Sequence, residues 1–227
     1  MRNKKLGIIQ PSYLPWINFF LRVIYSDDVV FLDDAEFSKN SFFNRNSITA
    51  SGKKLLLTVP VLYKNNSKKK INEIKIDNSK NWKKKHWMSI YQNYKNSKFF
   101  SRFEELEQIY KKDWEYLIDL NLNIINFFFN YFNFKKNITL SSEFSLNLKS
   151  NEKIAEICKL KKIFNFIVKE NTEGYHPDLF FKKKNIKLIK INYHHLYKKY
   201  VKDFDKDIYL DNILDIALLK GPKAFNL

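Results

Sequence analysis

The chain has 227 residues and is 44% hydrophobic, enough to enclose a substantial core, and its single cysteine, Cys158, excludes an intrachain disulfide or a cysteine-built zinc site. Its net charge of +17 is almost entirely lysine, because only Arg2, Arg22, Arg45 and Arg102 among 41 basic residues are arginine. The lysines fall in short groups along the chain (68–70, 83–85, 182–184) and not in one arm. They are therefore read as a solvated surface attractive to anionic small molecules or anionic lipid, with no specific nucleic-acid interface.

The basic start runs into LGIIQPSYLPW, which has no long apolar region and no small-residue cleavage site. No secretory signal is expected, and a cytoplasmic location fits the lone cysteine. Lys5 to Gln10 reads as a buried strand and Asn18 to Tyr25 as an apolar helix, with a loop rich in proline and aromatics between them. Val29 to Asp33 is a second strand. Lys54 to Val61 and Ile71 to Ile76 are expected to pair as a long hairpin around a lysine-asparagine loop. A helical block follows at about 79–134. Its most apolar part, Leu117 to Phe134, is broken by Asp119 and five asparagines, so a core helix is expected there and not a membrane span. Ile138 to Ser141 reads as a strand, Asn151 to Lys162 as an amphipathic helix, and Phe164 to Val168 and Ile186 to Ile191 as further strands. The run ILDIALLK is a last helix, ending at Gly221-Pro222.

Strand and helix alternate at both ends of the chain around the helical block. The predicted architecture is α/β: a mainly parallel, Rossmann-like sheet with a β-hairpin and a helical insertion, in one domain over 1–227.

No Gly-rich phosphate loop, G-x-S-x-G elbow or H-E-x-x-H helix is present. The candidate chemistry lies where the first two strands end. Asp33 and Asp34 close the second strand, and neighbours on a strand point to opposite faces. One can face a pocket while the other caps the next segment; capping by both is the equal alternative. In a chain so biased toward lysine, Arg45, between Asn44 and Asn46, suggests a need for the planar guanidinium, as an anion clamp or as an internal ion-pair partner. Arg22, within the first helix, is read as structural or surface. Gln10, held just before a proline, has its amide free to reach a ligand. Tyr13 and Trp16 are placed either to stack on a sugar or to pack the loop. His86 is a candidate base or a helix residue. His194-His195 lacks companions at metal-ligand spacing, so no metal site is assigned. Cys158 is read as core.

The run Gln10-Pro11-x-Tyr13-x-Pro15-Trp16, then Phe19-Phe20, Asp28-x-Val30-x-Leu32-Asp33-Asp34, Asn44-Arg45-Asn46 and LTVP at 57–60 resembles the WbqC-like protein family. The likeness continues through Trp82, His86, Tyr94, the KIAEICK helix at 153–159, Gly174-Tyr175 and Ile213-Leu214-Asp215. The resemblance implies a bacterial protein of O-antigen or other surface-polysaccharide assembly, with transfer of glycine or another acyl group onto an amino sugar as the activity proposed for such proteins. It names no cofactor. The implied partners are an amino-sugar or nucleotide-sugar substrate and an activated acyl or glycyl donor, with peripheral membrane contact allowed.

On that basis Asp33 or Asp34 is expected as base, and Arg45 with Asn44 as anion clamp or oxyanion stabiliser. Gln10, Tyr13, Trp16, Asn46, His86 and Tyr175 are expected to bind substrate. The chain departs from the family pattern at Ile9, where His or Met is frequent, at Asn18 in place of a glycine, and at 169–173, where KENTE replaces a small, Gly-rich loop. A nucleotidyltransferase-like enzyme and a non-enzymatic assembly factor binding anionic partners are the alternative functions.

Overall fold

The computed structural model describes residues 4–63, 68–170, 176–202 and 212–227. Strand β1 (Lys5–Ile9), helix α1 (Ile17–Tyr25) and strand β2 (Asp28–Phe31) form the first crossover unit. A hairpin of β3 (Arg45–Ala50) and β4 (Lys53–Thr58) follows. The helical block comprises α2 (Trp82–Tyr94), α3 (Glu104–Lys111) and α4 (Leu117–Phe132). The chain then returns to the sheet through β5 (Ile138–Leu140), α5 (Ser150–Leu160), β6 (Asn165–Lys169), α6 (Asp178–Lys183) and β7 (Lys187–Ile191), and finishes with α7 (Tyr193–Tyr200) and α8 (Ile213–Lys220).

The main sheet has five strands in the order β5-β2-β1-β6-β7, every pairing parallel. Both faces are covered, as a parallel sheet requires. Strand residues alternate between two cores: Ile9, Val29, Phe31 and Ile167 face the cluster built with α1, α4 and α8. Leu6, Ile8, Val30, Phe166 and Val168 face the smaller cluster that includes Ile154 and Ile157 of α5 and Phe181 of α6. Gly7 lets β1 lie against the end of α1. A Cβ there would sit 2.3 Å from Ser26 Oγ, whose hydroxyl donates to the Arg22 carbonyl at 2.6 Å.

The hairpin differs from the sequence expectation. Strand β4 pairs with β3, in the register Ala50↔Lys53 through Arg45↔Thr58, and not with 71–76. The cause is the Ser51-Gly52 turn, where both residues adopt positive φ (48° and 73°). Such a two-residue turn matches the twist of a hairpin. Residues 71–73 instead form a single 3₁₀ turn, and only an isolated bridge joins Val61 to Ile76.

The apolar stretch at 117–134 is mostly α4, which buries Leu120, Ile124, Phe128 and Phe132 in the core. Of its asparagines only Asn121 is enclosed, where it donates to the Phe43 carbonyl at 2.9 Å, and Asn123, Asn126 and Asn130 are exposed. No helix among the described residues is long and apolar enough to cross a membrane.

Candidate functional site

Strand order fixes where a ligand site can form. From β1 the chain moves outward to β2 and β5, then crosses to the other side of β1 to lay down β6 and β7. The connections leaving β1 and β6 therefore diverge, and the sheet opens at its carboxyl edge between these strands. The β1–β6 ladder pairs only Lys5 with Asn165 and Leu6 with Phe166, whereas β6 and β7 stay paired over five positions. Just beyond the last β1–β6 pair, Arg22 reaches from α1 and its Nη2 donates to the Ile167 carbonyl at 2.7 Å.

A cavity of about 780 Å³ occupies this opening, within the size range of small-molecule sites. Gln10, Arg22, Asp34, Lys153, Phe166 and His176 line it. The amino end of α5 (Lys149, Ser150, Asn151) forms part of the wall, and no side chain caps that helix end. Lys68, Lys70 and Lys149 stand at the rim, exposed to solvent.

The two adjacent carboxylates have different surroundings. Asp33 is buried and accepts from the Ser142 backbone N–H (3.0 Å), the Ser142 hydroxyl (2.6 Å), the Ser141 hydroxyl (3.1 Å) and Asn72 Nδ2 (3.4 Å). It fastens the 141–144 turn to the end of β2. Asp34 lines the cavity and forms an ion pair with Lys153 of α5, and it shares the single Ser141 hydroxyl proton with Asp33. Burial works against its charge, but the Lys153 ammonium and the Ser141 hydroxyl outweigh that and hold the carboxyl below its ordinary pKa.

His176 sits across the cavity with its ring edge-on to Phe166 (5.2 Å, 82°) and its Nδ1 2.9 Å from Asn151 Oδ1. Burial, reinforced by the Arg22 charge, lowers its pKa. A neutral imidazole whose Nδ1–H donates to Asn151 keeps its lone pair on Nε2.

Most other sequence candidates belong to a scaffold behind the cavity. Tyr13 is fully buried, with its hydroxyl 2.8 Å from His86 Nδ1 and 2.6 Å from the Tyr110 hydroxyl. Burial depresses His86 to a pKa of about 4, the Thr58 backbone pulling weakly the other way. Asn46 accepts from Trp16 Nε1 (2.5 Å) and donates to the Leu14 carbonyl (2.6 Å), where Leu14 has a positive φ of 41°. Asn44 donates to the Val59 carbonyl at 2.9 Å. Asn46 thus pins the proline loop to the hairpin, Tyr13 ties the same loop to α2 and α3, and Asn44 joins the two flanks of the hairpin. Tyr94 and Thr49 tie the hairpin to α8 in the same way, each donating to Asp215.

Trp16 packs edge-on against Phe42 (4.5 Å) and does not line the cavity. Arg45 opens β3, away from the cavity lining, and among the described residues no carboxylate lies within ion-pair distance of it. Tyr175 lies outside the described residues. Of the sequence candidates, the fold brings Gln10 and Asp34 together. Arg22, read from the sequence as structural or surface, joins them, as do Lys153 and His176, which no site motif marks. No local pattern shows that a helix residue such as Arg22 reaches across a strand gap.

Cys158 is buried in α5, and burial pushes its thiol up to about 12, so it is core and not a nucleophile. Among the described residues, no group of three His, Cys, Asp or Glu side chains is placed to hold a metal ion.

Fold and site define an α/β protein of the open-sheet kind, with its polar cavity at the strand-order reversal. The chain belongs to the WbqC-like protein family, whose family model matches residues 10–227. It is 26% identical over 225 residues to the uncharacterized protein Rv1507c of Mycobacterium tuberculosis, covering 97% of this chain and 96% of that protein. No solved structure matches it.

Proposed function

We propose that the chain is an acyl- or aminoacyl-transferase of surface-polysaccharide assembly that acylates an amino sugar in the cavity between β1 and β6. The observation that carries this reading is the convergence of a depressed histidine, His176, with the carboxylate of Asp34 and the amide of Gln10 in one cavity. N-acylation requires the sugar amine to be free of its proton. The neutral Nε2 of His176 is suited to take that proton. Asp34, held ionised by Lys153, is a weak base and is better suited to anchor the sugar's ammonium or hydroxyl groups. Gln10 is exposed at the cavity wall and can orient the acceptor or the donor carbonyl.

The freed amine attacks the carbonyl of an activated acyl donor, such as a thioester or acyl ester. As the new N–C bond forms, the attacking nitrogen sheds its second proton to solvent, the bond to sulfur or oxygen breaks, and the proton held by His176 passes to the leaving group. The family resemblance supports the substrate class. Mass spectrometry of the host's surface glycan, with and without the gene, tests the reading. An acyl substituent is expected to disappear on deletion, to return with the intact gene and to stay absent with His176→Gln. An identical glycan in the deletion strain would overturn the proposal.

A further inference from the structure

Arg22 combines features that a purely structural arginine does not need. It lies beneath an open cavity, and among the described residues no carboxylate lies within ion-pair distance of it. Its Nη2 is committed to the Ile167 carbonyl, its Nε is buried without a partner, and Nη1 has no hydrogen-bond partner among the described residues. The plane of the group is supported by the Phe166 ring, 6.0 Å away. Leaving a desolvated cation without a counter-charge is unfavourable, and burial already lowers the Arg22 pKa.

The sheet tether accounts for one nitrogen only. What remains is a guanidinium edge facing a space that also receives the uncapped amino end of α5, where backbone N–H groups and the helix dipole favour negative charge. Three lysines at the rim (68, 70 and 149) add further positive charge at the mouth. A ligand with a single carboxylate would answer Arg22 alone. A diphosphate answers both the buried guanidinium and the rim.

We propose that Arg22 and the amino end of α5 bind a phosphoryl group of the acceptor, making the amino sugar of the transfer reaction a diphosphate-linked one. This rests on the transferase reading above and deepens it. The diphosphate could come from a nucleotide or from a lipid carrier, and the phosphoryl chemistry is common to both.

Isothermal titration of the whole chain with inorganic pyrophosphate, UDP and geranyl diphosphate, at fixed ionic strength, tests the site without any transfer assay. Saturable binding is expected for pyrophosphate, weakened at least tenfold in Arg22→Met and unchanged in Lys182→Ala, which alters a different cavity. Tighter binding of UDP than of pyrophosphate would support a nucleotide-linked acceptor, and tighter binding of geranyl diphosphate a lipid-linked one; both support the phosphoryl site. Equal affinity in Arg22→Met and the wild type would overturn it, as would acetate competing as well as pyrophosphate.

Because Arg22→Met also removes a donor from Ile167, the wild-type protein supplies an independent check. The His176 ring resonances are expected to shift during a pyrophosphate titration, and unmoved resonances would overturn the proposal whatever the variant does. An unchanged glycan with pyrophosphate bound would sink the transfer reading alone, and an altered glycan without pyrophosphate binding would sink this site alone.

Discussion

Lys153 of α5 and Asp34 at the end of β2 form an ion pair, with only 9% and 6% of their side chains exposed, joining two walls of the cavity. Taking one partner from a buried pair leaves the other as an uncompensated charge, at a cost of about 3 kcal/mol or more. Lys153→Met is expected to lower stability by about that much, and Lys153→Met combined with Asp34→Asn by clearly less than the sum of the two single changes. Urea titrations of the four proteins measure the coupling. Additive losses would mean the pair contributes nothing as a pair.

Asp33, one residue earlier, separates structure from function. Its four hydrogen bonds all come from residues 72, 141 and 142, and none reaches the cavity. In Asp33→Asn one carboxylate oxygen becomes an NH₂ group set against donors, which is expected to cost about 2 kcal/mol. The folded variant is expected to retain the proposed transfer activity, whereas Asp34→Asn is expected to lose at least tenfold. Thermal melts paired with glycan complementation give both readouts, and a silent Asp34→Asn would remove this carboxylate from the mechanism.

His86 makes the fold sensitive to acid. Its pKa falls from 6.5 to about 4 on burial, so the folded chain binds fewer protons than the unfolded chain between those values. Its stabilising contribution is complete above pH 6.5 and is lost as the pH falls toward 4. The full shift corresponds to roughly 3 kcal/mol. The difference in unfolding free energy between wild type and His86→Gln is therefore expected to shrink steadily from pH 7 to pH 4. A difference independent of pH would show that the imidazole is not held neutral by the Tyr13 enclosure.

The sequence patterns that identified the sheet are those set by local physics. Apolar runs at 5–9, 28–31 and 165–169 are strands because both faces are buried, and the period of 150–160 marks a helix with one face on the sheet. The hairpin pairs β4 with β3 and not with 71–76 because Ser51-Gly52 forms the turn; its positive φ values decide the pairing. The candidate site was legible only in part. Motif residues such as Tyr13, Asn46 and His86 gather where the chain turns at the end of β1, and in the fold they hold that turn in shape. The groups added by the fold come from elsewhere. Arg22 arrives through a gap between strands, Lys153 from a helix more than a hundred residues on, and His176 from the bend just before α6. Such meetings depend on strand order, which carries no local signature.

His176 gives the proposed reaction its pH dependence. Burial and the Arg22 charge both disfavour the imidazolium, so the folded pKa lies below the ordinary 6.5. A base must be neutral to accept a proton, and the rate is therefore expected to rise with pH along an acid limb centred below 6.5 and to level off near neutrality. Replacing Arg22 by Met removes one of the two causes. It is expected to move that limb toward higher pH, while Lys182→Ala leaves it in place. Transfer from a glycyl thioester to an amino-sugar acceptor, followed from pH 4.5 to 8, measures the limb in all three proteins. A limb that ignores the loss of Arg22 would show that the titrating base is not His176, because no other histidine in the described structure shares the cavity with that guanidinium.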